Sequence, residues 1–100
     1  MTTLPRGAKP YRRTNTFTNT TIPAGLRRSH ATAQGVWGLI HVLQGHLAYR
    51  VTDPRRSPVE KVLSPDQAPG VIAPGVLHEV EPLDEVRFYV EFHREEAAAG

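Results

Sequence analysis

VIAPGVLHEVEPLDEVRFYVEF, residues 71–92, decides how this chain reads. Its second half alternates without a break. Val86, Phe88, Val90 and Phe92 fall on one face, and Arg87, Tyr89 and Glu91 on the other. A period of two is the mark of a strand with one buried face. In the first half His78 shares its face with Val76 and Val80, which directs the imidazole into an apolar interior. Glu79 and Glu81 follow it, and a short acidic turn leads into the second strand. An interior imidazole needs a partner. In an ordinary core that partner is a protein hydrogen bond, and in a site it is a metal ion. The residues alone leave both open.

Working outward, residues 36–43 form the other strong strand. Trp37, Leu39, His41 and Leu43 share one face, and Gly38, Ile40 and Val42 the other. Gln44-Gly45 reads as a hairpin turn, after which residues 46–52 return with Leu47, Tyr49 and Val51 on the apolar side. Residues 59–63 and 11–18 are further strands, the latter on its three threonines and two aromatics. Residues 26–32 form a short extended piece carrying His30. Proline-bearing turns occupy 53–58 and 64–70. Residues 1–10 read as an N-terminal arm, and 94–100 as a flexible C-terminal tail or one frayed helical turn. Nine prolines and eight glycines, spread throughout, leave no room for a long helix. Short alternating strands at even spacing predict an all-β barrel or sandwich of about eight to ten strands.

Length and charge bound the rest. One hundred residues make a single domain, 1–100, with one core. The absence of cysteine excludes disulfides and thiolate metal sites, so a metal has only His, Asp and Glu to hold it. The apolar runs are too short to span a membrane. The N-terminus lacks the apolar core of a signal peptide, so a cytoplasmic protein is expected. Residues 1–52 carry seven Lys/Arg and no acid, whereas residues 53–100 carry ten Asp/Glu and five Lys/Arg. Halves of opposite sign attract one another across a fold. The basic pairs Arg12-Arg13 and Arg27-Arg28 are short, with little aromatic interleaving, which argues against a nucleic-acid partner. Small open sheets expose edges that need covering, so a homodimer is expected, with residues 11–18 as the pairing strand.

Five histidines carry whatever chemistry there is. His93 ends the last strand beside Arg94 and is expected at the surface, as is His46 after its turn glycine. His41 lies on the Trp37 face, and His30 precedes a small polar stretch.

Residues 35–45, GVWGLIHVLQG, followed by 72–78, IAPGVLH, resemble the two halves of a cupin jelly roll, the double-stranded β-helix. Pro74-Gly75 followed by His78 is the better half. Gly38 stands where the cupin pattern has its glutamate. Lys9-Pro10-Tyr11, Pro23-Ala24-Gly25, His30-Ala31-Thr32, the Gly35–Gly38 strand start, Gly45, and His78 with Glu81 resemble, in order, the TehB/YeaR-like domains of the cupin superfamily, over residues 9–93. That resemblance implies an association with tellurite resistance. It also implies a metal site from His30, His78 and Glu81, with Thr32 and Trp37 as pocket neighbours. His41 is the substitute if Glu81 faces outward, since on a regular strand His78 and Glu81 point opposite ways. Two imidazoles and a carboxylate suit Zn, Fe, Ni or Mn and leave positions open for water, a small molecule or an oxyanion. Some members of the group carry a methyltransferase. This chain has no Gly-x-Gly-x-x-Gly loop, so methyl transfer to tellurium is not expected. Three functions follow: a metal-binding stress or oxyanion protein, a metal-dependent dioxygenase- or isomerase-like enzyme, and a metal-free interaction domain.

Overall fold

The computed structural model describes residues 3–95. Among them are eight strands, one 3-10 turn and no α-helix. The strands are β1 (Ala8–Arg13), β2 (Phe17–Thr18), β3 (Val36–Gln44), β4 (Leu47–Val51), β5 (Val59–Leu63), β6 (Gly70–Ile72), β7 (His78–Pro82) and β8 (Arg87–Glu95); the 3-10 turn is Ala24–Arg27. No helix among the described residues is long and apolar enough to cross a membrane.

Two sheets form, and all their ladders are antiparallel. The larger runs β1-β8-β3-β6, with β2 also pairing β8, and the smaller runs β5-β4-β7. Neither sheet closes on itself or on the other among the described residues, so two open sheets stand where a closed barrel was expected. They meet on one core. Ile40, Val42, Ile72, Phe88 and Val90 come from the larger sheet, and Leu47, Tyr49, Leu63 and Val80 from the smaller. For β4, β7 and β8 these are the faces that the alternation marks as apolar. Phe88 is fully buried and packs edge-to-face on Phe17, with ring centroids 5.5 Å apart.

The connections depart from the sequence reading. Gln44-Gly45 joins two strands that do not pair, because β3 and β4 belong to different sheets. Gly45 has φ +76°, and a Cβ there would lie 2.0 Å from the Glu85 carbonyl oxygen. This turn is therefore packed against the turn before β8. Residues 71–82 are likewise not one strand. The chain leaves the larger sheet at Ile72 and enters the smaller at His78, with Gly75 at φ +69° in the crossover. Residues 8–10 belong to β1 rather than to an arm, and residues 94 and 95 belong to β8. The rest of the expected tail, 96–100, lies outside the described residues. The expected strand 11–18 is divided between β1 and β2, both on β8. The extended piece at 26–32 is instead the 3-10 turn followed by a bridge at His30.

The opposite charges of the two halves do meet. Arg50 reaches Glu60, Glu79 and Glu81 on the outer face of the smaller sheet.

Candidate functional site

His78 opens β7 and is 1% exposed. It faces inward because its register partner is Val51 and its neighbour on that face, Val80, pairs with Tyr49. The free side of β7 is met by His30, which forms an isolated bridge with it. His30 N–H donates to the His78 carbonyl (2.9 Å), and His78 N–H returns the bond (2.8 Å). This reciprocal pair fixes two backbones 48 residues apart in sequence and brings the two imidazoles together. Their centroids lie 4.3 Å apart at 54°. Tyr49 closes the other side, its ring 5.8 Å from that of His78.

Hydrogen bonding fixes how His78 is protonated. Its Nδ1 lies 2.9 Å from the Val76 carbonyl oxygen. A carbonyl only accepts, so Nδ1 carries the proton and Nε2 carries the lone pair. Burial, which disfavours the imidazolium, pulls the His78 pKa down to about 4; the Val76 carbonyl works the other way. The ring is neutral at any ordinary pH. His30 Nδ1 is buried and has no hydrogen-bond partner among the described residues.

The loops around the pair are tied down. Asp53 is buried, and its carboxylate accepts from the Arg55 guanidinium, the Arg55 N–H and the Leu77 N–H. Those bonds, the Arg55 side chain first, hold the Asp53 carboxyl well below the usual carboxylate range. Arg55 also donates to the Gly75 carbonyl (3.0 Å). Thr32 accepts from Gly75 N–H (3.2 Å) and donates to the Val36 carbonyl (2.8 Å). The crossover that delivers His78 is thus fastened from both flanks, and Thr32 acts as one of those fastenings.

Glu81, Trp37 and His41 are not gathered there. Strand β7 pairs with β4 without a register shift, so Glu81 points away from His78 and onto Arg50 (2.7 Å). Trp37 and His41 lie on the face of β3 turned from the core, opposite His93 and Tyr89 respectively. Among the described residues no group of three or more His, Cys, Asp or Glu side chains converges to hold an ion. The inner pair therefore offers two protein donors and no carboxylate.

A second grouping lies on that outer face. Glu91 Oε1 is 2.7 Å from His93 Nε2 and 3.6 Å from His41 Nε2, and His41 stacks on Tyr89 at 4.8 Å. Arg13 covers the other side of Tyr89 at 3.8 Å from its centroid. His93 is 5% exposed, contrary to the surface position expected for it. Trp37, Glu91 and β1 surround it at the centre of a ladder rather than at a strand end. His46 is exposed, as expected, with its Nδ1 on Asp84 (2.7 Å). The sequence reading placed Tyr49 on an apolar face but missed its contact with His78. A tyrosine on an otherwise aliphatic face was the available signal.

A family description, TehB-like domain, matches residues 12–90. The structure superposes on the crystal structure of TehB from Haemophilus influenzae with a TM-score of 0.82 at 22% identity, covering 90% of this chain and 32% of that one. It superposes on a protein from E. coli (strain K12) with a TM-score of 0.84 at 20% identity, covering 97% of this chain and 100% of that one. No curated protein sequence matches significantly. At these identities the two structures share the fold, and the chain spans about a third of the Haemophilus influenzae protein.

Proposed function

The chain belongs to the TehB-like domain family, and on that premise we propose that it is a binding domain whose His30–His78 pair holds a divalent transition metal. The observation that carries this reading is the carboxylate-free imidazole pair. His78 donates from Nδ1 to a backbone carbonyl and keeps Nε2 as a lone pair, the orientation that metal-ligating histidines take from their outer partners. His30 Nδ1 is buried without a partner among the described residues, which a coordinate bond would satisfy. Both rings suit Zn, Ni, Fe(II) or Mn, and two protein donors leave several positions open. When bound, such an ion would supply Lewis-acid charge for an oxyanion such as tellurite, in keeping with the association that the family resemblance implies. The residues do the rest: Val76 fixes the tautomer, Tyr49 limits ring motion, and the Asp53–Arg55 fastening holds the crossover. The two face-to-face sheets support the finer reading of a cupin-like jelly roll.

The test is metal titration of chelator-treated protein, with stoichiometry and melting temperature as readouts. One ion per chain is expected for the wild type and for Glu81→Gln, and none for His78→Gln. Tellurite should then bind the metal-loaded wild type and not His78→Gln. A wild type whose melting curve ignores added Zn, Ni, Mn and Fe(II) leaves the pair as ordinary core histidines.

A further inference from the structure

The sandwich opens between the free edges of β5 and β6. Tyr49 and Val51 floor the opening, Val59 and Lys61 form one wall, and Gly70 and Val71 the other. The cavity measures about 620 Å³. A second chamber of about 330 Å³ shares Tyr49, Val51, Val59 and Val71 with it and adds Arg56 and Ser57. Volumes in this range suit a small organic ligand.

Three observations define the occupant. The shared lining is aliphatic apart from Tyr49. Among the described residues no acid lines either chamber, whereas two cations do. Lys61 stands directly opposite Tyr49 in the β4–β5 ladder, and the Arg56 charge acts on the Tyr49 phenol. Arg50 and Arg55 have carboxylate partners, but the side chains of Lys61 and Arg56 make no ion pair with any described residue. Tyr49 itself is 4% exposed, and its hydroxyl makes no hydrogen bond with any described residue. The hydroxyl oxygen is not fully buried, so it is open to a ligand in the cleft. An apolar trough with two uncommitted cations and an uncommitted phenol is complementary to a molecule with an apolar body and one anionic end.

We propose that this cleft binds a small amphipathic carboxylate, its apolar body against Val51, Val59 and Val71 and its carboxylate on Tyr49, Lys61 and Arg56. The site adjoins the His30–His78 pair through Tyr49 but uses none of its donors, so it stands or falls separately from the metal reading.

Calorimetric titration of the full chain with octanoate tests it, with octan-1-ol as the uncharged probe of equal length. Octanoate should saturate one site per chain and bind about tenfold more tightly than octanol, the worth of one charge-assisted hydrogen bond. Tyr49→Phe keeps the ring and its packing, and should weaken octanoate several-fold while leaving octanol unchanged. Lys61→Gln with Arg56→Gln alters only exposed positions and should remove the preference for octanoate. His78→Gln should retain octanoate binding while losing metal, so failure of either reading is visible without the other. Equal affinity for the two probes, an octanoate affinity indifferent to the double substitution, or no saturation below about 10 mM would overturn the proposal. So would a dimer of this chain that seals the cleft and excludes octanoate.

Discussion

Two pairs of histidines lie in this small molecule, and a single carboxylate separates them in kind. On the outer face of the larger sheet, Glu91 stands between His93 and His41. There the carboxylate accepts from His93 Nε2, Tyr89 stacks on His41 and Arg13 covers Tyr89, while His41 Nε2 and His93 Nδ1 are buried without a hydrogen-bond partner among the described residues. Between the sheets, no carboxylate of the described residues joins His30 and His78, and the buried ring is held neutral by desolvation. A carboxylate that accepts from an imidazole commits one ring nitrogen as a hydrogen-bond donor. Between the sheets His78 Nε2 keeps its lone pair, and ring nitrogens buried without a partner among the described residues occur in both groupings. What sets the inner pair apart is the neutral ring of His78 with its fixed tautomer, not a larger number of unpartnered atoms.

Acid should break this contrast most strongly. The folded pKa of His78 is about 4, below the unfolded value near 6.5. Between those values the unfolded chain binds the proton and the folded chain does not, so stability rises with pH there. The contribution is fully present above pH 6.5 and is lost as pH falls toward 4, on the order of 3 kcal/mol in all. Urea unfolding at pH 7 and pH 4.5 should show the loss in the wild type and a much smaller one in His78→Gln. An identical slope in both would place the acid sensitivity elsewhere.

Metal acts on the same pair from the other side. An ion at a hundredfold excess over its dissociation constant stabilises the folded state by about 2.7 kcal/mol. That rise in melting temperature should vanish in His78→Gln and survive His93→Gln. If His93→Gln abolishes it instead, the roles of the two histidine pairs are reversed.

The alternation in residues 71–92 marks which side chains face inward, and it places His78 in the core and Glu81 opposite. The same periodicity gives β3, β4, β5 and β8 to within two residues. It cannot say which strands pair, because the faces of a strand are a local property and its neighbours are not. Gln44-Gly45 has the chemistry of a hairpin turn, yet its strands part into different sheets. The outer grouping depends wholly on such pairing. Trp37 opposite His93, Leu39 opposite Glu91 and His41 opposite Tyr89 form a register between residues about fifty positions apart, and nothing in either segment alone announces it. The His30–His78 bridge was legible only through the family resemblance, since residues 26–32 have no alternation of their own.

Carboxylate removal sharpens the contrast at a smaller scale. Glu91→Ala leaves the buried His93 Nε2–H without an acceptor and should cost about 1–3 kcal/mol, the range for an orphaned buried donor. Glu81→Ala should cost far less. Its side chain is 51% exposed, and Arg50 keeps Glu60 and Glu79. Neither change should alter metal stoichiometry. If Glu81→Ala abolished metal binding, the crossover would have to bring that carboxylate inward in solution.

The smallest effect belongs to the fifth histidine. His46 binds Asp84 through both its ring and its backbone: Nδ1 lies 2.7 Å from Oδ2, and the N–H lies 2.7 Å from Oδ1. The ring bond is the main reason the Asp84 carboxyl sits below its usual value, and the backbone bond is the second. Both side chains are about half exposed, so water and salt screen the pair. His46→Ala removes only the ring. The backbone bond remains, as does the contact between Gly45 and the Glu85 carbonyl that fixes the turn. The melting temperature at pH 7 should therefore fall by about 2 °C or less, with metal and octanoate binding unchanged. Gly45→Ala makes the informative counterpart, because it forces a side chain into a left-handed backbone position and into the facing turn. If His46→Ala proved as damaging as Gly45→Ala, the junction of the two turns would depend on the imidazole rather than on the close approach of the two backbones.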